Sequence, residues 1–179
     1  MINKRLHVIV DELTPEMEKV SRRIFENPEV GLSEYKASKW LIGILEDNGF
    51  SVELGLGSMA TAFRALWKGA EPGPNIAYLA EYDALPGVGH GCGHNLVGTG
   101  SVYAAIALSK VLPAGAGTIT VLGTPAEEDK GGKIILLNEG FFDDVDMAIF
   151  AHPSSISQIG RGGRAIKRGR DSGGRHRPA

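Results

Sequence analysis

The sequence predicts an α/β fold with a parallel-rich sheet flanked by helices, and three observations carry that prediction. Three short apolar runs, Asn75–Ala80 (NIAYLA), residues 118–122 (TITVL) and residues 147–150 (MAIF), have the composition of buried strands. A helical segment over 101–112 separates the first two, and another near 133–138 separates the second from the third. Strand, helix, strand, helix, strand is the order that lays successive strands parallel with right-handed crossovers.

Ahead of this repeat the chain predicts two helices and two strands. Thr14 can cap a helix with Pro15 at its first position and Glu16 and Glu18 in its first turn. Met17, Val20 and Ile24 then share one face, and Pro28 ends the segment. A second helix is expected from a Ser33 cap to about Asp47. Its apolar stripe is Ala37, Leu41, Ile44 and Leu45, and Gly49 stands where a C-terminal cap is needed. Strands are expected over 50–54 and 62–67.

Bulk properties narrow the function classes. At 179 residues and 42% hydrophobic, the chain can bury one ordinary core. No apolar run approaches the length of a bilayer span, so no membrane partner is expected. The N-terminus lacks the pattern of a secretory signal. Cys92 is the only cysteine and cannot form an internal disulfide, which points to a cytoplasmic protein.

The net charge of −2 hides an asymmetry. Residues 161–179 carry seven Lys/Arg against one acid, and residues 1–160 carry twelve against twenty. A basic, glycine-rich tail with few large apolar residues cannot offset its ordering entropy, so it is expected to be disordered. It has no aromatic residue for base stacking, and the body behind it is acidic; no nucleic-acid partner is expected.

The chemistry gathers behind the predicted parallel strands. Glu81, Tyr82 and Asp83 follow the first, leading into the stretch GHGCGHN with Cys92 and His94. Glu127 and Glu128 follow the second, and His152 follows the third. Parallel sheets bind ligands beyond the carboxyl ends of their strands, so these residues converge on one edge.

Each element of that set also has a plainer reading. Cys92 and His94, two apart in a glycine-rich loop, can turn toward one ion, and thiolate and imidazole suit Zn²⁺ and its neighbours. Equally, Cys92 can be an inert buried thiol. A repeated Cys-x-x-Cys spacing is missing, which disfavours a small zinc module. Glu127 and Glu128, adjacent at a strand end, point in different directions. One can ligate a metal while the other faces substrate as a general base; alone, the pair reads as a solvated acidic loop. A cysteine nucleophile with His94 or His152 as its base is a further alternative, but it leaves the two carboxylates without a role. The glycines miss the spacing of a phosphate cradle. Together, thiol, imidazoles and carboxylates favour a metal site.

The runs EYDALPGVGHGCGHN (81–95), TPAEEDKGGK (124–133) and FAHP (150–153) resemble the dinuclear metal-dependent amidohydrolases and metallopeptidases of the aminoacylase–carboxypeptidase superfamily. The wording is most similar to the branch that holds p-aminobenzoyl-glutamate hydrolase and the peptidase domain-containing protein 2 type dipeptidases. NPEVGLSEYKAS (27–38) and GFSVE (49–53) fit the same branch, and the resemblance runs over about residues 20–167.

That resemblance implies two divalent ions, Zn²⁺ or Mn²⁺ with Co²⁺ as a further option. Cys92, His94, Glu128 and His152 would hold the metals, with the Cys92 thiolate bridging them. Glu127 would be the general base and Asp83 would orient the site from behind. The reaction implied is hydrolysis of an amide bond in an N-acyl amino acid or dipeptide by metal-activated water. Members of the superfamily insert a smaller lid domain after the third strand; it supplies dimer contacts and a histidine, and the returning chain adds a last metal ligand. The resemblance therefore implies that residues 1–160 are the N-terminal part of a zinc-peptidase-like catalytic domain with the lid absent, and that 161–179 lie outside the family frame. A truncated remnant that binds metal or a partner without turnover is the alternative function.

Overall fold

The computed structural model describes residues 2–69, 72–112 and 117–155; the basic tail lies outside these. The chain runs α1 (Ile2–Phe25), α2 (Tyr35–Asp47), β1 (Ser51–Leu56), β2 (Met59–Lys68), β3 (Asn75–Ala80), α3 (His94–Val111), β4 (Thr118–Gly123), α4 (Gly132–Asn138) and β5 (Met147–Ile149). The five strands form one sheet in the order β1-β2-β4-β3-β5. β3 pairs in parallel with both β4 and β5, while β2 is antiparallel to β1 and β4.

Two boundary expectations are corrected. α1 begins near Ile2 and carries Pro15 inside it, so Thr14 is no N-cap. Proline removes only its own N–H from the ladder, and the Thr14 hydroxyl donates to the Val10 carbonyl at 2.8 Å, satisfying an oxygen within the same turn. α2 is capped by Glu34 rather than Ser33. Glu34 turns its side chain inward to other partners, and α2's first turn is satisfied by Glu29, whose carboxylate accepts from the Lys36 and Ala37 amides at 2.9 Å each. Gly49 does take the left-handed conformation expected past the helix end, with φ of 83°.

Strand alternation puts apolar residues on both faces of the sheet, because helices cover both. Phe63 and Ala65 of β2, Ala80 of β3, and Ile119 and Val121 of β4 pack with Ile24, Leu41, Leu45 and Ile106 from α1, α2 and α3. The intervening residues Ala62, Ala77, Leu79 and Leu122 pack with Leu136 of α4 on the other face. A period of two along each strand gives this two-sided burial. Within the first layer α1 lies along α3, and α3 spans β3 and β4. Among the described residues, no helix is long and apolar enough to cross a membrane.

α3 sits unusually close to β3. A Cβ added at Gly98 would come within 2.5 Å of the Glu81 carbonyl oxygen. Only glycine allows that approach, and it draws the start of α3 against the end of β3. Two residue groups that matter below, Glu81–Asp83 and Cys92–His94, are brought together by this packing.

Candidate metal centre

Because β3, β4 and β5 are parallel, their carboxyl ends share one edge of the sheet, and the ionisable residues that follow them meet there. The loop after β3 turns on Gly87, Gly89 and Gly93, all with positive φ. Gly93 immediately precedes α3, so His94 is the helix's first residue, and it is buried.

His94 is the hub. Its Nδ1 lies 3.0 Å from Asp83 Oδ1 and 3.2 Å from the Asp83 carbonyl. Both oxygens accept, which favours a proton on Nδ1 and leaves Nε2 facing the opposite way. Around Nε2 stand Glu81 Oε2 at 3.3 Å, Glu128 Oε1 at 3.7 Å and Glu127 Oε2 at 4.0 Å. The His152 ring meets His94 edge-on with centroids 5.7 Å apart. Glu81, His94 and His152 form one set of donor atoms close enough to share an ion, and His94, Glu127 and Glu128 form another.

The electrostatics follow from this crowding. Burial pushes the Asp83 carboxyl up, but hydrogen bonds from His94 and from the Glu128 amide, 3.1 Å from Oδ2, outweigh it and hold the group below its ordinary value. For His94, burial favours the neutral ring. The Asp83 hydrogen bond and the charges of Asp83, Glu128 and Glu127 overcome that and raise it. Cys92 is pushed up to about 11, first by its hydrogen bond to the Glu128 carboxylate, then by burial and the neighbouring acids.

All six residues predicted for the site are on this edge: Asp83, Cys92, His94, Glu127, Glu128 and His152. Cys92 is tied to Glu128, and His152 is exposed, its Nδ1 2.9 Å from the Pro153 carbonyl. Sequence reasoning assigned no role to Glu81 or Lys133. Glu81 is fully buried, and the Lys133 ammonium of α4 lies against its Oε1 and over the Phe150 ring. A signal for Glu81 existed: it stands two residues before Asp83 in extended chain, so the two side chains leave the same face.

The donor set suits a divalent cation. His94 Nε2 and Glu81 Oε2 are buried without a hydrogen-bond partner, an arrangement whose cost is relieved by a positive charge among them. Thiol, imidazole and carboxylate together are a ligand set that Zn²⁺, Mn²⁺ and Co²⁺ all accept.

Comparison with known proteins agrees with this site. Residues 77–165 match the model of Peptidase family M20/M25/M40. A Xaa-Arg dipeptidase from Mus musculus is 39% identical over 167 residues, covering 86% of this chain and 38% of the relative. A p-aminobenzoyl-glutamate hydrolase from Escherichia coli (strain K12) is 37% identical over 157 residues, 77% of this chain and 32% of that protein. The chain thus spans less than two fifths of the length of these curated relatives. Among solved structures, a dinuclear metal binding peptidase from Bacillus subtilis superposes with a TM-score of 0.67 at 25% identity, over 77% of this chain and 42% of that one. The α/β sheet, the residues gathered at its carboxyl edge and these likenesses place the chain in Peptidase family M20/M25/M40.

Proposed function

We propose that this chain carries the metal-binding and proton-handling part of a hydrolase that cleaves the amide bond of an N-acyl amino acid or dipeptide. The observation that carries the reading is the convergence on His94 Nε2 of carboxylates from the loops after β3 and β4, with His152 after β5 alongside. Cys92, His94, Glu128 and His152 would hold two divalent ions, Zn²⁺, Mn²⁺ or Co²⁺. Such ions, when bound, lower the pKa of water and polarise an amide carbonyl.

The chain's own residues supply the rest. Asp83 fixes the His94 ring so that Nε2 faces the centre, and its second oxygen takes the Glu128 amide, which sets the direction of that loop. Glu127 keeps two fifths of its side chain exposed, so it can reach both solvent and substrate. In that position one carboxylate oxygen accepts a proton from the attacking water and returns it to the leaving nitrogen. Relatives named for dipeptide and p-aminobenzoyl-glutamate hydrolysis support the substrate class. A cytoplasmic setting fits the lone thiol.

A cysteine-nucleophile mechanism is opposed by the environment of Cys92. A nucleophilic thiol needs a depressed pKa, whereas the acids around this one push it up to about 11. A metal ion reverses that, since coordination deprotonates a thiol outright.

Elemental mass spectrometry of purified protein tests the reading, coupled to assays on N-acyl amino acids and dipeptides. Divalent metal should be present in the wild type and lost in Cys92→Ala. Glu127→Gln should keep the metal and lose at least ~10²-fold in hydrolysis. Folded protein without metal above background rejects the proposal, and metal without Glu127-dependent hydrolysis supports the non-catalytic alternative.

A further inference from the structure

We propose that Glu34 is a positioning residue that holds the Glu127–Glu128 turn in its working shape by gripping the backbone at Ala126. The proposal rests on the functional reading above for its consequence, and on hydrogen-bond geometry for the grip itself.

Glu34 is fully buried at the start of α2, far in sequence from the metal-capable residues. Its Oε1 accepts from the Ala126 amide at 2.8 Å, and its Oε2 accepts from the Thr61 hydroxyl of β2 at 2.8 Å. Two donors from two separate elements converge on one carboxylate.

Ala126 needs such a grip. It has φ of +57°, and among the described residues only Leu32 shares a positive φ without being glycine. A left-handed alanine costs about 1–2 kcal/mol, and it persists when its surroundings over-determine it. Here Ala126 is fully buried against Gly31, where a Cβ would lie only 2.8 Å from the Ala126 methyl. Its carbonyl accepts from the Lys130 and Gly131 amides at 3.0 and 2.9 Å, closing the turn that contains both glutamates. The left-handed step reverses the chain directly after Pro125, so Glu127 and Glu128 point back toward His94 rather than onward past the sheet.

Glu34 and Asp83 thus divide the work. Asp83 fixes the Glu128 amide from the β3 side, and Glu34 fixes the Ala126 amide from the α2 side. Losing Glu34 frees the alanine to relax to negative φ, which rotates both carboxylates away from His94 Nε2.

The test compares wild type with Glu34→Ala, Glu34→Gln and the double variant Glu34→Ala/Ala126→Gly. One readout is amide hydrogen exchange at Glu128, Lys130 and Gly131 in metal-free protein. The other is affinity for Zn²⁺ measured against a chromogenic chelator. Glu34→Ala should speed exchange at those three amides and weaken Zn²⁺ binding by ~10- to 100-fold. Glu34→Gln keeps an acceptor for the Ala126 amide and should stay within a few-fold of wild type. Glycine at 126 takes positive φ without a steric cost, so the double variant should recover most of the lost affinity and protection.

Should Glu34→Ala not fold, Glu34→Asp, too short to keep both bonds, serves with the same readouts. Unchanged exchange in a folded Glu34 variant overturns the grip. Faster exchange with unchanged Zn²⁺ affinity overturns its role in positioning. Wild-type protein that binds no Zn²⁺ overturns the functional proposal instead, while exchange in the metal-free state still decides the grip.

Discussion

At the scale of single residues, Cys92 shows how neighbours reassign a side chain. The sequence left its thiol open to three readings, and three acids around it remove one of them in the metal-free protein. Its thiol is held up to about 11, against an ordinary value of 9.0. Alkylation of metal-free protein by iodoacetamide, followed by intact-mass spectrometry against pH, should therefore show a midpoint near 11. A midpoint below the ordinary value would restore the nucleophile. The ligand-capable residues Cys92, His94, Glu127, Glu128 and His152 were legible because residue type and strand-end position are both sequence properties. Glu81 and Glu34 were not. Each looks like an ordinary acid near the end of a helix or strand, and only the tertiary packing reveals that no water reaches it.

At the scale of elements, the three parallel strands were read within a residue or two, since strands buried on both faces are continuous apolar runs. The helices were harder. Cap residues mark a helix start only when their side chains are free to cap, and Glu34 is engaged elsewhere. Thr14-Pro15 imitates a helix start inside α1 because proline is tolerated where a single ladder bond is lost. Close approach of α3 to β3 at Gly98 could not be read at all, since it depends on a contact with the Glu81 carbonyl. Gly98→Ala should force the two apart and cost about 1–3 kcal/mol, measured by urea denaturation. A variant as stable as wild type would show that α3 is free to shift.

At the scale of the whole molecule, the sheet order β1-β2-β4-β3-β5 was beyond the sequence, because β2 and β4 are distant along the chain and no local pattern encodes their pairing. Its consequence is that the site sits where β3 and its two parallel neighbours end. The outer neighbour, β5, is an edge strand, with Met147, Ile149 and the adjacent Phe150 exposed. Stability should also carry the imprint of Glu34. Burial raises its folded-state pKa above 4.5, against hydrogen bonds from its own backbone, Thr61 and Ala126 that lower it. The folded state therefore binds this proton more tightly than the unfolded chain. That contribution is fully present below 4.5 and is lost as pH rises through the folded pKa. Thermal unfolding of Glu34→Gln against wild type should show the variant gaining relative stability as pH rises from 4.5, then a constant difference. A pH-independent difference would mean that the carboxylate's burial does not set its protonation.

The central claim is a metal site in which Cys92 and His94 are ligands, and Co²⁺ titration monitored by absorption tests it most directly. Loading the wild-type protein should produce a near-ultraviolet thiolate-to-cobalt charge-transfer band that saturates with added metal. Cys92→Ala should lack that band, and His94→Ala should bind Co²⁺ at least ~10-fold more weakly. Saturable Co²⁺ binding with no thiolate band, or binding untouched by either substitution, would contradict the account.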